Sequence, residues 1–211
     1  MRNNNIQTRR LFVQLLLSII LIVYPLSATA SEDTAVFAGG CFWCLEHDLE
    51  DLPGVISATS GYTGGELMQP NYENHYGHQE AVFVIFDNEK ISYESLLRNY
   101  WRNVDPFDGR GQFCDRGDSY RPLIFTKGDE QKSIAFLSAK QAAKELNSSL
   151  KLIKLEIQDA KKFWEAEDYH QNYAQKNPNK YRFYRFSCGR DSRLGEVWGD
   201  RAKSGEPWLN S

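Results

Sequence analysis

The sequence predicts an α+β domain, a two-layer α/β sandwich in which a central mixed sheet is flanked by helices. Three observations carry that expectation. Short β-prone runs alternate with stretches of helical apolar rhythm, the interleaving that builds layers of sheet and helix. No internal repeat or low-complexity linker divides the chain, so apart from its N-terminus the 211 residues read as one domain. The composition, 41% hydrophobic and 25% charged, is that of a soluble globular protein.

The first thirty residues stand outside this domain. Arg2, Arg9 and Arg10 make a positive start, and Leu11 to Leu26 is apolar except for Gln14, Ser18, Tyr24 and Pro25. Ala28-Thr29-Ala30 then offers a small-x-small cleavage site. That order predicts a secretory signal peptide, residues 1–30, and an exported, periplasmic mature chain, residues 31–211. The alternative is an uncleaved N-terminal membrane anchor. Cleavage removes three arginines and no acid, leaving 22 basic and 28 acidic residues, net −6. No basic run or stripe is present, which excludes a nucleic-acid partner.

Thr34 to Ala38 reads as a buried strand that ends in Gly39-Gly40. Cys41 to Leu52 places apolar residues at 41, 42, 45, 49 and 52, a helical spacing stopped by Pro53-Gly54. Val55 to Ser60 predicts a second strand, Gly61 to Gly65 a glycine loop, and 66–79 a polar loop. Ala81 to Phe86 predicts a third strand, and Ser92 caps a helix reaching Trp101. Asp105 to Arg121 is a long polar loop, of a length usually tied to function. Beyond it the pattern predicts a strand at Pro122–Phe125, a helix at Asp129–Leu146, a strand at Leu152–Ile157 and a helix at Phe163–Lys176. From Tyr181 on the chain reads as an irregular, aromatic C-terminal tail. A ferredoxin-like core is the arrangement expected of these strands and helices.

Four cysteines remain after residue 30: Cys41, Cys44, Cys114 and Cys188. An even number in an exported chain allows two structural bridges. A mature chain of this length builds its own core without them, so working thiols become the better reading. Cys41 follows two glycines at a strand end and opens a helix, where free N–H groups and the helix dipole favour a thiolate. That setting predicts a nucleophile with a lowered pKa. Cys41-Phe42-Trp43-Cys44 is also a C-x-x-C pair, which fits a redox couple or half a zinc site. Cys114 and Cys188 lie too far apart to complete that site, and the four histidines show no ligand spacing, so no metal is expected.

Gly39-Gly40-Cys41-Phe42-Trp43 resembles the active-site motif of A-type peptide-methionine sulfoxide reductases. The resemblance continues through Gly61-Tyr62-Thr63-Gly64-Gly65, Pro70-Asn71-Tyr72 and Gly77-His78-Gln79-Glu80. It runs on through Trp101, Asp105-Pro106, Asp115, Tyr120-Arg121 and Ala166-Glu167-Asp168-Tyr169-His170-Gln171. It covers roughly residues 35 to 198. The chain departs from many members in carrying Cys44 where they have glycine, and in a shorter loop between Tyr72 and Glu80. Cys114 and Cys188 match a subgroup only.

The resemblance implies reduction of the S epimer of methionine sulfoxide, free or in oxidised proteins. Such chemistry needs a thiolate to attack sulfur, a proton donor, hydrogen-bond donors to oxygen and an apolar box for the methyl group. The resemblance makes Cys41 the nucleophile and Glu80 the acid, kept protonated in a dry pocket. Tyr72 and Tyr120 would orient the oxygen, Asp115 would orient its neighbours, and Phe42 and Trp43 would wall the methyl site. The sulfenic acid left on Cys41 would condense with a second thiol, and Cys44, Cys188 and Cys114 all stay open as that thiol. No nucleotide fingerprint occurs, so no cofactor is expected and the reductant would be a thioredoxin-like thiol protein. A monomer is expected. Two rival readings are an exported thiol–disulfide oxidoreductase using Cys41 and Cys44, and a disulfide-stapled binding domain.

Overall fold

The protein is described by a computed structural model covering residues 31–209. The expected signal peptide lies outside the described residues. Among the described residues no helix is long and apolar enough to cross a membrane.

The first strand, β1 (Glu32–Ala38), leads through Gly39-Gly40 into α1 (Phe42–Glu50), and β2 (Val55–Thr63) returns to the sheet. After the 64–78 loop come β3 (Gln79–Asp87) and α2 (Tyr93–Trp101). The long loop holds a small antiparallel pair, β4 (Gly111–Gln112) and β5 (Asp115–Arg116), and a 3₁₀ turn at Asp118–Tyr120. Then follow β6 (Leu123–Thr126), α3 (Gly128–Glu145), β7 (Glu156–Asp159) and β8 (Trp164–Glu165). Three helices close the chain: α4 (Tyr173–Lys176), α5 (Pro178–Ser187) and α6 (Arg190–Trp198).

The main sheet runs β7-β6-β1-β3-β2-β8, antiparallel throughout except that β6 and β7 are parallel. Its inner four strands, β6-β1-β3-β2, with α1 and α2 between them in sequence, are the ferredoxin-like βαββαβ arrangement. The alternation of β1 and β3 explains the two faces. Ala35, Phe37, Val82, Val84 and Phe86 turn toward the main core with Leu45, Leu96 and Trp101, while Ala38, Ala81, Leu123 and Phe125 pack on the other face. Ser92 caps α2 by accepting the Ser95 N–H at 3.2 Å, as its sequence position predicts. Gly54, at φ +98, makes the turn that stops α1 before β2.

The structure corrects four expectations. The strand expected at 152–157 starts only at Glu156, because Leu150–Leu152 is a 3₁₀ turn capped by Ser149 and the Lys154 N–H bonds to the Pro106 carbonyl. The helix expected over 163–176 is mostly absent. Trp164 and Glu165 pair with Tyr62 and Gly61, and Gln171 bonds both the N–H and the carbonyl of Ser60, so sheet-edge contacts override helical rhythm. Gly61 is itself in β2, not in a loop, and a Cβ there would strike the Trp164 carbonyl. The C-terminal tail is helical, not irregular. Pro178 occupies the first turn of α5, where its missing N–H costs nothing, and Gly189, at φ +69, separates α5 from α6.

Candidate active site

Cys41 sits at the N-cap position of α1 and is almost wholly buried. Its two preceding glycines are sterically required. A Cβ on Gly39 would lie 2.7 Å from the Val104 side chain, and Gly40, at φ +80, faces Gln112 at 2.8 Å. The end of β1 is held by Tyr100, whose hydroxyl donates to the Ala38 carbonyl at 2.7 Å. The buried Arg190 of α6 donates to the carbonyls of Gly39 at 3.1 Å and Asn103 at 2.7 Å.

Glu80, opposite Tyr62 in the sheet, is buried and points at the start of α1, where it accepts the Phe42 N–H at 3.1 Å. Burial, reinforced by nearby Asp115, pushes its carboxyl up to about 8, although the Phe42 N–H and the Tyr120 hydroxyl pull the other way. Asp115, on β5, sits beside the backbone of Cys41, and its carboxyl is raised chiefly by burial. Tyr120 and Tyr72 both feel Glu80 and Cys41, and burial raises both phenols, so they remain hydrogen-bond donors. Tyr72 is half exposed, and Glu167 anchors its loop by accepting the Tyr72 N–H at 2.9 Å and the Tyr62 hydroxyl at 3.1 Å. The five residues expected to do chemistry are thus brought together from α1, β3, β5 and two connecting segments.

An aromatic wall stands beside them. The Phe42 ring lies 4.9 Å from His170 and 5.8 Å from Tyr62, and Trp43 stacks on Tyr173 at 3.8 Å. Trp43 Nε1 donates to His170 Nδ1 at 2.9 Å. Burial lowers the pKa of His170, which fits an imidazole that accepts at Nδ1.

The thiols correct two further expectations. Cys41 does not have a lowered pKa. Burial pushes its thiol well up, with Cys44, Glu80 and Asp115 adding to the effect. The Phe42 N–H, which should favour a thiolate at the head of the helix, is committed to the Glu80 carboxyl instead. Cys44 carries the readier ionisation, at about 7, through its hydrogen bond with Cys41, against burial, and with help from Arg190 and Arg185. Both thiols are free and buried, so the ionisation of either one bears on the other. The second correction concerns Cys188. It is no free thiol in an irregular tail, because it caps α5 and is disulfide-bonded to Cys114, 74 residues away. A cleft of about 770 Å³ opens beside Cys188 with Phe113, Arg116, Lys154 and Arg193 in its walls, and Cys41 does not line it.

Sequence reasoning missed Tyr184. Its hydroxyl donates to both Asp115 oxygens, at 2.9 and 2.7 Å, and its ring meets Trp43 edge-on at 5.9 Å. A signal existed, since Tyr181, Tyr184 and Cys188 follow the i, i+3, i+7 spacing of one helix face.

Comparison with known proteins agrees with this geometry. The family model described as "Peptide methionine sulfoxide reductase" matches residues 33–202. A peptide methionine sulfoxide reductase MsrA 2 of Caulobacter vibrioides is 48% identical over 187 residues, covering 87% of this chain and 94% of that one. A peptide methionine sulfoxide reductase MsrA of Ligilactobacillus salivarius is 49% identical over 172 residues, covering 80% and 99%. Among solved structures, reduced Mxr1 from Saccharomyces cerevisiae superposes with TM-score 0.63 at 28% identity, over 71% of this chain and 88% of that one. Methionine sulfoxide reductase A of Corynebacterium diphtheriae superposes with TM-score 0.60 at 27% identity, over 72% and 77%.

Proposed function

The chain belongs to the peptide methionine sulfoxide reductase family, and from that premise we propose that Cys41 reduces the S epimer of methionine sulfoxide, free or in oxidised proteins, to methionine. The observation that carries the roles is the pairing of a buried Cys41 with a buried Glu80 whose carboxyl is still protonated near neutrality. The Cys41 sulfur attacks the sulfoxide sulfur, Glu80 protonates the oxygen, and Tyr72 and Tyr120 donate hydrogen bonds to it. The sulfide leaves and Cys41 becomes a sulfenic acid. Phe42 and Trp43, with His170 behind them, hold the methyl group.

Cys44 then displaces water from the sulfenic acid to form the Cys41–Cys44 disulfide. Its readiness to ionise and its hydrogen bond with Cys41 favour it as first resolver. Cys188 and Cys114, as a dithiol, next take up that oxidation, which leaves the inner thiols free and the outer pair bridged. A thioredoxin-type dithiol reduces the outer bridge. A thiol–disulfide oxidoreductase would not need Glu80 and the two tyrosines around Cys41. The test is direct: with dithiothreitol as donor the protein should turn over a methionine-S-sulfoxide peptide and leave the R epimer, whereas reduction of insulin at a comparable rate would favour the oxidoreductase.

The arginine start, apolar run and Ala28-Thr29-Ala30 site support export, with the mature chain beginning at Ser31. Mass spectrometry of protein from the periplasmic fraction tests this, and an intact N-terminus there would argue for an anchor.

A further inference from the structure

Tyr184 is placed between the nucleophile and the outer disulfide. Its hydroxyl donates to both oxygens of Asp115, and the Cys41 thiol stands near enough to act on the phenol. Asp115 in turn sits beside Cys41 and acts on its thiol. Both halves of this contact are tied by one covalent bond. Asp115 follows Cys114 directly, Tyr184 lies one helical turn before Cys188, and the Cys114–Cys188 disulfide joins the two segments with a Cα–Cα distance of 4.9 Å. The Cys114 N–H also points at Cys188 Sγ, 3.2 Å away. The hairpin residue Phe113 adopts a left-handed backbone, φ +56, beneath the Arg190 guanidinium, which stands 4.5 Å over its ring. On the other side, Arg185 pins α5 through Asp48 and Asp191.

We propose that Tyr184 is a further catalytic residue, a phenol that hydrogen-bonds Cys41 as it ionises and is clamped there by the Cys114–Cys188 bridge. The proposal rests on the reading of Cys41 as the sulfoxide-reducing thiol. While Cys41 is a thiol, the Tyr184 proton serves Asp115. Once Cys41 loses its proton, the hydroxyl turns to its sulfur, so a buried anion does not form without a donor. In the reaction, Cys41–SH and the sulfoxide become Cys41–SOH and the sulfide. Glu80 gives its proton to the transferred oxygen, the thiol proton replaces the one that Glu80 gave up, and Tyr184 keeps its own. Burial holds the phenol far above its ordinary range, so it stays a donor throughout. The charged and titratable groups facing the inner thiols are Cys41 and Cys44 themselves, Asp48 on α1, Glu80 on β3 and Asp115 on β5. Tyr72, Tyr120, Tyr181, Tyr184, Arg185 and Arg190 complete that set.

The test uses full-length protein whose inner thiols are free and whose outer bridge is closed, as checked by thiol counting. Two rates are read across pH: alkylation of Cys41 by iodoacetamide, located by mass spectrometry, and a single turnover on a methionine-S-sulfoxide peptide. Tyr184→Phe should move the alkylation midpoint up by about one pH unit and slow the single turnover about tenfold at neutral pH. Its circular dichroism should match wild type. The same midpoint and a rate within about twofold in the folded variant overturn the proposal, twofold being far below the expected change. The Cys114→Ser/Cys188→Ser double variant removes the clamp without touching Tyr184. Its single turnover should slow in the same direction, and a wild-type rate would overturn the clamp. If the wild-type protein reduced no sulfoxide at all, the functional reading would fail, while the alkylation shift would still report on Tyr184.

Discussion

At the scale of single residues, the site sets two protonation states against each other. Cys41 must lose a proton to attack, and Glu80 must keep one to donate. Burial serves the second directly, since a carboxyl at about 8 is largely protonated at neutral pH. The active form of Glu80 therefore dominates below about 8, and the single-turnover rate should fall as pH rises through that value. Glu80→Gln should abolish this alkaline fall and slow the step by ~10²–10⁴-fold, the usual worth of a general acid, with little effect on substrate affinity. Rapid-quench measurement from pH 6 to 10 checks it, and an unchanged rate would assign the proton to another group. Cys41→Ser should lose turnover completely while keeping its thermal transition, since Ser fits the same space at the head of α1. Activity near wild type in that folded variant would end the reading of Cys41 as nucleophile.

At the scale of elements, helix α1 carries the inner thiols, while the outer bridge ties the end of α5 to the β4–β5 hairpin, and their supports differ. Glu46 of α1 is buried and accepts the Asn172 N–H at 3.0 Å, which fixes the segment holding His170 and Gln171. Burial raises its carboxyl to about 7. The folded pKa thus lies above the unfolded one, so the associated stability is present below about 4.5 and is lost as pH rises through about 7. The loss should be on the order of 3 kcal/mol, one pKa unit being worth about 1.4. Urea unfolding at acid and alkaline pH should show Glu46→Gln gaining on wild type as pH rises, and a pH-independent gap would contradict the assignment. For α5, Cys188→Ser should complete a first turnover and then stall with a thioredoxin-type donor. Sustained turnover at the wild-type rate would place Cys188 outside the relay and leave Cys44 sufficient.

At the scale of the whole molecule, the C-terminal segment is locked to the α2–α3 layer by one buried arginine. Arg102 forks onto Glu145 at 2.9 and 2.8 Å and donates to the carbonyls of Ser204 and Glu206 at 3.0 and 2.7 Å. Trp208 covers it at 5.1 Å. Removing one partner of a buried pair leaves the other charge uncompensated, so Arg102→Ala should lower the unfolding free energy by about 3–5 kcal/mol. The pH profile of Cys41 alkylation should stay as in wild type, because Arg102 has no contact with the thiol. A denaturation midpoint equal to wild type would show that the segment is held by other contacts.

Much of this protein was legible in the chain itself. Alternating residues in β1 and β3 declared two buried sheet faces, Ser92 declared a helix start, and Gly39-Gly40 before Cys41 declared a turn into a helix with a thiol at its head. These are local patterns, and backbone geometry answers to them locally. The motifs around Tyr72, Glu80, Asp115 and Tyr120 pointed to partners without showing their contacts. Tertiary structure alone decided the rest. It made a strand edge of Trp164 and Glu165 by offering them β2, turned the supposed tail into α5 and α6, and set Tyr184 on Asp115. It also joined Cys114 to Cys188 across 74 residues. Above all it decided that Cys41 holds its proton more tightly than an exposed thiol would. Desolvation and facing carboxylates set that property, and they come from residues far away in the chain.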